Sequence, residues 1–302
     1  MDKIIVEGGN PLKGKIKIGG AKNAVLPIMT ACLLAPGKYI LTNVPNLRDT
    51  RTMSELLRRI GAEVSYKDHV LFINTENCNN PEAPYDLVKT MRASFYVLGP
   101  LLSRFGVSKV SLPGGCAWGP RPVDYHIKAL KELGANIDLD AGYIVAKGKL
   151  TGAHIEFENV SVGATGNTLM AAVTAEGVTI IKNSAQEPEI TLLCEFLNKM
   201  GAKISGLNSK TITVVGVSEL HPVEKFEIVP DRIEAGTFLI ATAMVGGEIE
   251  LIDANSDHLN FVLALLKKVG SQIIIKDGNI RLIAPKEINP TNMVTAPFPG
   301  FP

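Results

Sequence analysis

A repeat of roughly 70 residues runs through the chain and limits the folds open to it. Residues 56–74 (LLRRIGAEVSYKDHVLFIN), 129–148 (ALKELGANIDLDAGYIVAKG), 196–216 (FLNKMGAKISGLNSKTITVVG) and 265–285 (LLKKVGSQIIIKDGNIRLIAP) read alike. Each is an amphipathic helical stretch closed by a glycine, followed by two short strands about a turn. The closing residues are Gly61, Gly134, Gly201 and Gly270. The residue just past a helix end commonly turns left-handed, which a Cβ disfavours, so glycine there has a physical cause. A second series, Gly37, Gly106, Gly177 and Gly247, keeps the same period and separates an Ala/Leu-rich helix from a strand. Two series in step predict four units, each ordered strand, helix, strand, helix, strand, strand. Beyond the fourth, NMVTAPFPGFP (292–302) reads as the first strand and turn of a further unit. On that pattern the chain is expected to be a C-terminally truncated piece of a longer protein; a genuine terminus ending in a Pro-rich tail is the alternative.

Bulk properties narrow the function classes. The 302 residues are 46% hydrophobic and 20% charged, with a formal net charge of +1. No global field draws such a chain to nucleic acid or a membrane surface. The N-terminus lacks the basic start and apolar run of a secretory signal. The longest apolar stretch, AVLPIMTACLLA, covers residues 24–35, which is too short to span a bilayer and reads as a buried helix. Cys32, Cys78, Cys116 and Cys194 show no CxxC spacing and the histidines do not cluster. Neither a metal site nor a disulfide framework is expected, and a reducing cytoplasm is.

The turns at the helix starts carry the candidate chemistry. Equivalent positions hold Lys22, Arg92, Gly163 and Arg232, each between a first strand and its helix. Unpaired backbone N–H groups and the helix dipole favour anions there, and Lys or Arg strengthens the site for phosphate or carboxylate. The same cations also fit ordinary solvated first-turn residues, although a cation is mildly unfavourable at a helix N-terminus. In the third unit Ser161 and small neighbours leave the backbone open to a ligand. The loops after the second strand differ sharply. Three are polar turns, whereas SLPGGCAWGPRP (111–122) sets Cys116 between glycines and prolines with Arg121 nearby. Cationic surroundings lower a thiol's pKa and hold an anionic substrate near the sulfur. These residues suit a phosphate-bearing substrate and a reactive cysteine; a surface cysteine in an irregular loop is the plainer alternative. Cys32 and Cys194 fall in helical patterns as core residues, and Cys78 lies in a polar loop without evident role.

The runs GGAKNAVLP (19–27), PYDLVKTMRAS (84–94), SLPGGCAWGPRPVDYHI (111–127), SVGAT (161–165), EPEI (187–190) and PDRIEAGTF (230–238) closely resemble the UDP-N-acetylglucosamine 1-carboxyvinyltransferase family. These enolpyruvyl transferases begin bacterial peptidoglycan synthesis. The resemblance runs the whole length and implies an α/β fold of two inside-out α/β barrels, each of three repeats. It implies one complete domain over residues 22–230 and a second, partial one from residues 1–21 with 231–302. The family's proposed Asp base and its phosphoenolpyruvate-carboxylate arginines lie beyond the last residue here.

By the same resemblance Cys116 is the general acid or covalent participant, and the target of fosfomycin. Lys22, Asn23 and Arg121 match phosphoenolpyruvate contacts. Arg92, Arg121, Pro122, Val123, Asp124, Tyr125, Ser161, Val162 and Gly163 match contacts to UDP-N-acetylglucosamine. Arg48, Asp49 and Arg232 are further candidates; Arg48 stands where many members have Lys, and Asn159 where some have Lys near the diphosphate. The implied partners are these two small molecules, with no nucleic acid, no membrane, no metal and no organic cofactor. Two rivals stand beside this reading. One is 5-enolpyruvylshikimate-3-phosphate synthase, which shares the architecture but needs no loop cysteine. The other is a truncated, non-catalytic sugar-nucleotide-binding relative.

Overall fold

The computed structural model describes residues 3–112 and 123–301. Cys116, Arg121 and Pro122 therefore lie outside the described residues. The chain divides into two compact units, Lys22–Ile228 and Met1–Ala21 with Val229–Pro302. The described helices are α1 (Lys22–Ala31), α2 (Arg48–Ile60), α3 (Tyr85–Val88), α4 (Leu98–Phe105), α5 (Asp124–Glu132), α6 (Val162–Ala172), α7 (Pro188–Lys199), α8 (Arg232–Val245) and α9 (Asn260–Lys268).

Three four-stranded sheets wrap the unit Lys22–Ile228. Their strand orders are 225–227, 38–42, 70–74, 63–67; then 82–83, 107–111, 143–147, 136–140; then 154–156, 178–182, 211–215, 203–205. In each, the first pair is parallel and the other two are antiparallel. The strands bury alternate residues, as in Thr211–Val215, where Ile212 and Val214 point inward. The helices do the opposite. In α1 every residue from Ala24 to Ala31 is buried, and in α6 every residue from Ala164 to Ala172. A helix apolar on all sides must be packed on all sides, whereas an alternating strand needs cover on one face only. The helices therefore fill the centre and the sheets form the outer wall.

The central helices run parallel and in step. Thr30 near the end of α1 touches Met170 near the end of α6, with Oγ1 to Sδ at 3.5 Å. The Ser103 hydroxyl of α4 contacts Thr174 Oγ1 at 2.5 Å, just past α6. Arg104, at the end of α4, donates to the Leu33 carbonyl at 3.0 Å and the Thr75 carbonyl at 2.8 Å. With their C-terminal ends held together, the three helix starts gather at the opposite end of the unit.

Chain order and strand pairing part company at the unit boundary. Residues 12–17 lead into α1 but pair in parallel with 247–252, while 225–227 lead into α8 but pair with 38–42. The unit holding 12–17 has one sheet, ordered 12–17, 247–252, 279–283, 272–276. α8 and α9 pack on it through Leu239, Ala243, Leu263 and Leu266 against Leu251, Ile280 and Leu282. α8 leaves Ile233, Met244 and Val245 about half exposed or more.

Two local features depart from the sequence expectation. The turn before Arg92 contains α3, and Arg92–Val97 is a 3-10 helix that becomes α4 only at Leu98. Cys78 is buried, because its loop folds over the end of α2 and packs at Gly61. Gly61, Gly134, Gly201 and Gly270 all take positive φ, between +92° and +108°, which explains the helix-closing series.

Candidate active site

Two helix starts meet at the first repeat. Lys22 opens α1, and its Nζ lies 3.1 Å from the Asp49 carboxylate in the first turn of α2. Asn23 and Arg48 stand beside them, both exposed. The arrangement holds an ammonium at a helix N-terminus, where it and the unpaired N–H groups can receive one anion.

The second and third repeats contribute the adjoining turns. Ser161 caps α6, its hydroxyl accepting the Ala164 N–H at 3.3 Å. That satisfies one of the first-turn donors and leaves the Val162 and Gly163 N–H groups without an intrahelical acceptor. Val123 is buried ahead of α5, Asp124 is exposed in its first turn, and the Tyr125 hydroxyl accepts from Asn159 Nδ2 at 2.9 Å. Asn159 thus braces Tyr125. Arg92 is exposed on its 3-10 turn, yet its charge reaches inward. Burial and the nearby Arg92 together push His126 down to about 3. Burial and then Glu189 push the Tyr96 hydroxyl up, against Arg92.

The structure therefore brings Lys22, Asn23, Arg48, Asp49, Arg92, Val123, Asp124, Tyr125, Ser161, Val162 and Gly163 to one end of one unit. Arg232 belongs to the other unit. It opens α8, whose cap is Asp231, accepting the Ile233 and Glu234 N–H groups at 2.8 and 3.2 Å. Its guanidinium lies 5.1 Å from the centre of the Phe298 ring, in a cavity of about 310 Å³ also lined by Asp257, His258 and Phe301.

The described cysteines are poor nucleophiles. Burial raises the thiol pKa of Cys32 and Cys78, and pushes that of Cys194 up to about 12. Among the described residues, no group of three or more His, Cys, Asp or Glu is placed to hold a metal ion. Among them, too, no helix is long and apolar enough to cross a membrane.

Comparison with known proteins gives the family of the chain. A family profile described as EPSP synthase (3-phosphoshikimate 1-carboxyvinyltransferase) matches residues 6–302. The UDP-N-acetylglucosamine 1-carboxyvinyltransferase of Chloroherpeton thalassium is 53% identical over the whole of this chain and 71% of its own length. That of Trichlorobacter lovleyi is 49% identical over the whole chain and 72% of its own length. The chain belongs to the UDP-N-acetylglucosamine 1-carboxyvinyltransferase family.

Among solved structures, the enolpyruvyl transferase NikO from Streptomyces tendae superposes with a TM-score of 0.87 at 22% identity, covering 97% of this chain and 71% of that one. EPSP synthase from Acinetobacter baumannii gives 0.71 at 20% identity, covering 93% of this chain and 66% of that one. At such identities the likeness is one of fold: the inside-out α/β architecture of enolpyruvyl transferases. The profile and the relatives bear different substrate names but share the carboxyvinyl transfer, and the chain is an enzyme of that class by family.

Sequence reasoning missed a polar pair behind this family's turns. His126 and Asn167 are buried and hydrogen-bonded to each other at 3.0 Å. The signal available was an asparagine in the otherwise small and apolar run VGATGNTLMAA.

Proposed function

We propose that this chain transfers the enolpyruvyl group of phosphoenolpyruvate to the 3-hydroxyl of UDP-N-acetylglucosamine, releasing phosphate. The observation that carries this reading is the gathering of Lys22 at the start of α1, the exposed Arg92 on its 3-10 turn and the Ser161–Gly163 start of α6 at one end of one unit. A sugar nucleotide and phosphoenolpyruvate together present a diphosphate, a phosphate and a carboxylate, which need several such turns at once.

The chemistry is addition followed by elimination. The sugar 3-oxygen attacks C2 of phosphoenolpyruvate and gives up its proton to a base, while an acid protonates C3. The product is a tetrahedral phospholactoyl ketal. The bond from C2 to the phosphate oxygen then breaks, C3 returns a proton, and the enolpyruvyl ether and inorganic phosphate leave. In this reading Cys116 is the acid at C3. Lys22 and Arg121 offset the charge that builds on the departing phosphate. Asn23 holds the reacting centre. Arg92, Arg121, Pro122, Val123, Asp124, Tyr125 and the Ser161–Gly163 turn seat the uridine diphosphate. Asp49 steadies Lys22, and Arg48 adds positive charge beside it; no step is assigned to Arg232. A cytoplasmic location and a place at the start of peptidoglycan synthesis, and so in cell-wall biogenesis, shape and division, belong to the same reading.

The test is release of inorganic phosphate from phosphoenolpyruvate. Dependence on both UDP-N-acetylglucosamine and Cys116 supports the transferase. Tight sugar-nucleotide binding without turnover at high protein concentration would sink the catalytic reading and leave a binding protein. Turnover with 3-phosphoshikimate instead would move the chain to the other substrate class.

A further inference from the structure

A buried imidazole that this chemistry leaves unused sits directly behind the α6 turn. Two bonds orient the Asn167 side chain: its Oδ1 accepts the Gly99 N–H at 2.7 Å, and its Nδ2 donates to the Phe95 carbonyl at 3.0 Å. The same Nδ2 faces His126 Nδ1 at 3.0 Å. An amide nitrogen donates and does not accept, so Nδ1 is the acceptor and the ring proton stands on Nε2. The Phe95 ring meets the imidazole edge-on, 5.1 Å between centroids and 85° between planes. The Nε2 edge is turned toward Gly163, where a Cβ would lie 3.1 Å from Nε2.

These contacts join three segments of the candidate site. Phe95 belongs to the 3-10 turn that Arg92 opens, His126 follows Asp124 and Tyr125 on α5, and Gly163 is the second residue of α6. We propose that His126, locked as the Nε2–H tautomer by Asn167, is a positioning residue that sets the Ser161–Gly163 turn to receive an anionic diphosphate. The inference rests on the functional reading above. A neutral ring gives the turn a rigid wall and an N–H edge without placing a buried charge behind it. An imidazolium would set two N–H groups face to face across the 3.0 Å contact and displace Asn167 from both Phe95 and Gly99. Arg92, the charged group whose field reaches the ring, opposes that protonation.

Two measurements on the full chain test this. Nitrogen-detected NMR of wild type is expected to show the Nε2–H tautomer for His126, without titration between about pH 5 and 8. An Nδ1–H tautomer, or titration in that range, overturns the proposal whether or not any variant folds. Calorimetric binding of UDP-N-acetylglucosamine is then compared across wild type, His126→Phe and His126→Gln. The phenyl ring keeps the wall but loses both nitrogens, and is expected to bind at least about tenfold more weakly. The Gln amide restores an N–H near the Nε2 position and is expected to recover most of that loss, a rescue that a purely packing role would not produce. Equal affinity of wild type and a folded His126→Phe overturns the positioning role alone. Failure of wild type to bind the sugar nucleotide overturns the functional reading and this inference with it.

Discussion

Lys22 and Asp49 form an ion pair of 3.1 Å that ties the start of α1 to the start of α2. Their side chains are 41% and 34% exposed, so water screens the pair and its value to stability is small, at most about 1 kcal/mol. What the pair does instead is hold one ammonium where an anion would arrive.

Asp49→Asn is therefore expected to shift the melting temperature little and to raise KM for phosphoenolpyruvate several-fold. Lys22→Ala, which removes the charge itself, is expected to lower kcat/KM by roughly a hundredfold or more. Thermal melts beside phosphate-release kinetics separate the two effects. A large loss of stability in Asp49→Asn with unchanged KM would make the pair merely structural.

His126 gives a pH dependence of known sign. In the folded chain it protonates only near 3, against an ordinary value of 6.5. Between those values the unfolded chain binds the extra proton, so stability is fully present above about pH 7 and declines as pH falls. The slope contributed approaches about 1.4 kcal/mol per pH unit in the steepest part. Urea unfolding at pH 7, 6 and 5 should show the decline in wild type and a shallower one in His126→Phe.

Close glycine contacts separate folding from binding. A Cβ at Gly99 would sit 2.5 Å from both the backbone carbonyl and the Oδ1 of Asn167, so Gly99→Ala should cost about 1–3 kcal/mol of stability through overpacking. At Gly163 the nearest atoms are His126 Nε2 at 3.1 Å and Cε1 at 3.2 Å, a crowding that a small shift of the turn away from the ring relieves. Gly163→Ala is thus expected to melt close to wild type while binding UDP-N-acetylglucosamine more weakly. Denaturant midpoints and calorimetric titration check the pair.

Helix capping makes a simpler comparison. Ser161 satisfies one N–H of α6 and Asp231 two of α8. Ser161→Ala should lose about 1 kcal/mol of stability, and Asp231→Ala at least as much. If Ser161→Ala also weakens sugar-nucleotide binding and Asp231→Ala does not, the α6 turn is the one that receives the anion.

The repeat was readable because its punctuation is local. A glycine after a helix and an alternating strand after that glycine need only their neighbours to be recognised, so Gly61 and Gly134 marked element ends before any packing was known. The exchange of residues 12–17 and 225–227 followed only from the family resemblance, which set residues 1–21 with 231–302; the repeat alone could not give it, since a strand's partner depends on which sheet edge is vacant, not on its own side chains. Lys22 and Ser161 were singled out by their expected place at helix starts, where the structure has them; Arg92, expected at such a start too, lies on a 3-10 turn ahead of α4. His126 and Asn167 were missed because each looks ordinary in its own helix, and only the crossing of α5 and α6 makes them a pair. Cys78 was placed in a polar loop, and its burial was not readable for the same reason: it comes from the end of α2.

The most direct test of the central claim is the fate of the sugar nucleotide itself. Wild type incubated with phosphoenolpyruvate and UDP-N-acetylglucosamine, followed by mass spectrometry and NMR of the nucleotide, should yield an enolpyruvyl ether on the 3-oxygen. One phosphate should be released per ether formed, and neither should appear with Cys116→Ala. Unmodified UDP-N-acetylglucosamine in the wild-type reaction, or the same ether at the same rate from Cys116→Ala, would contradict the account.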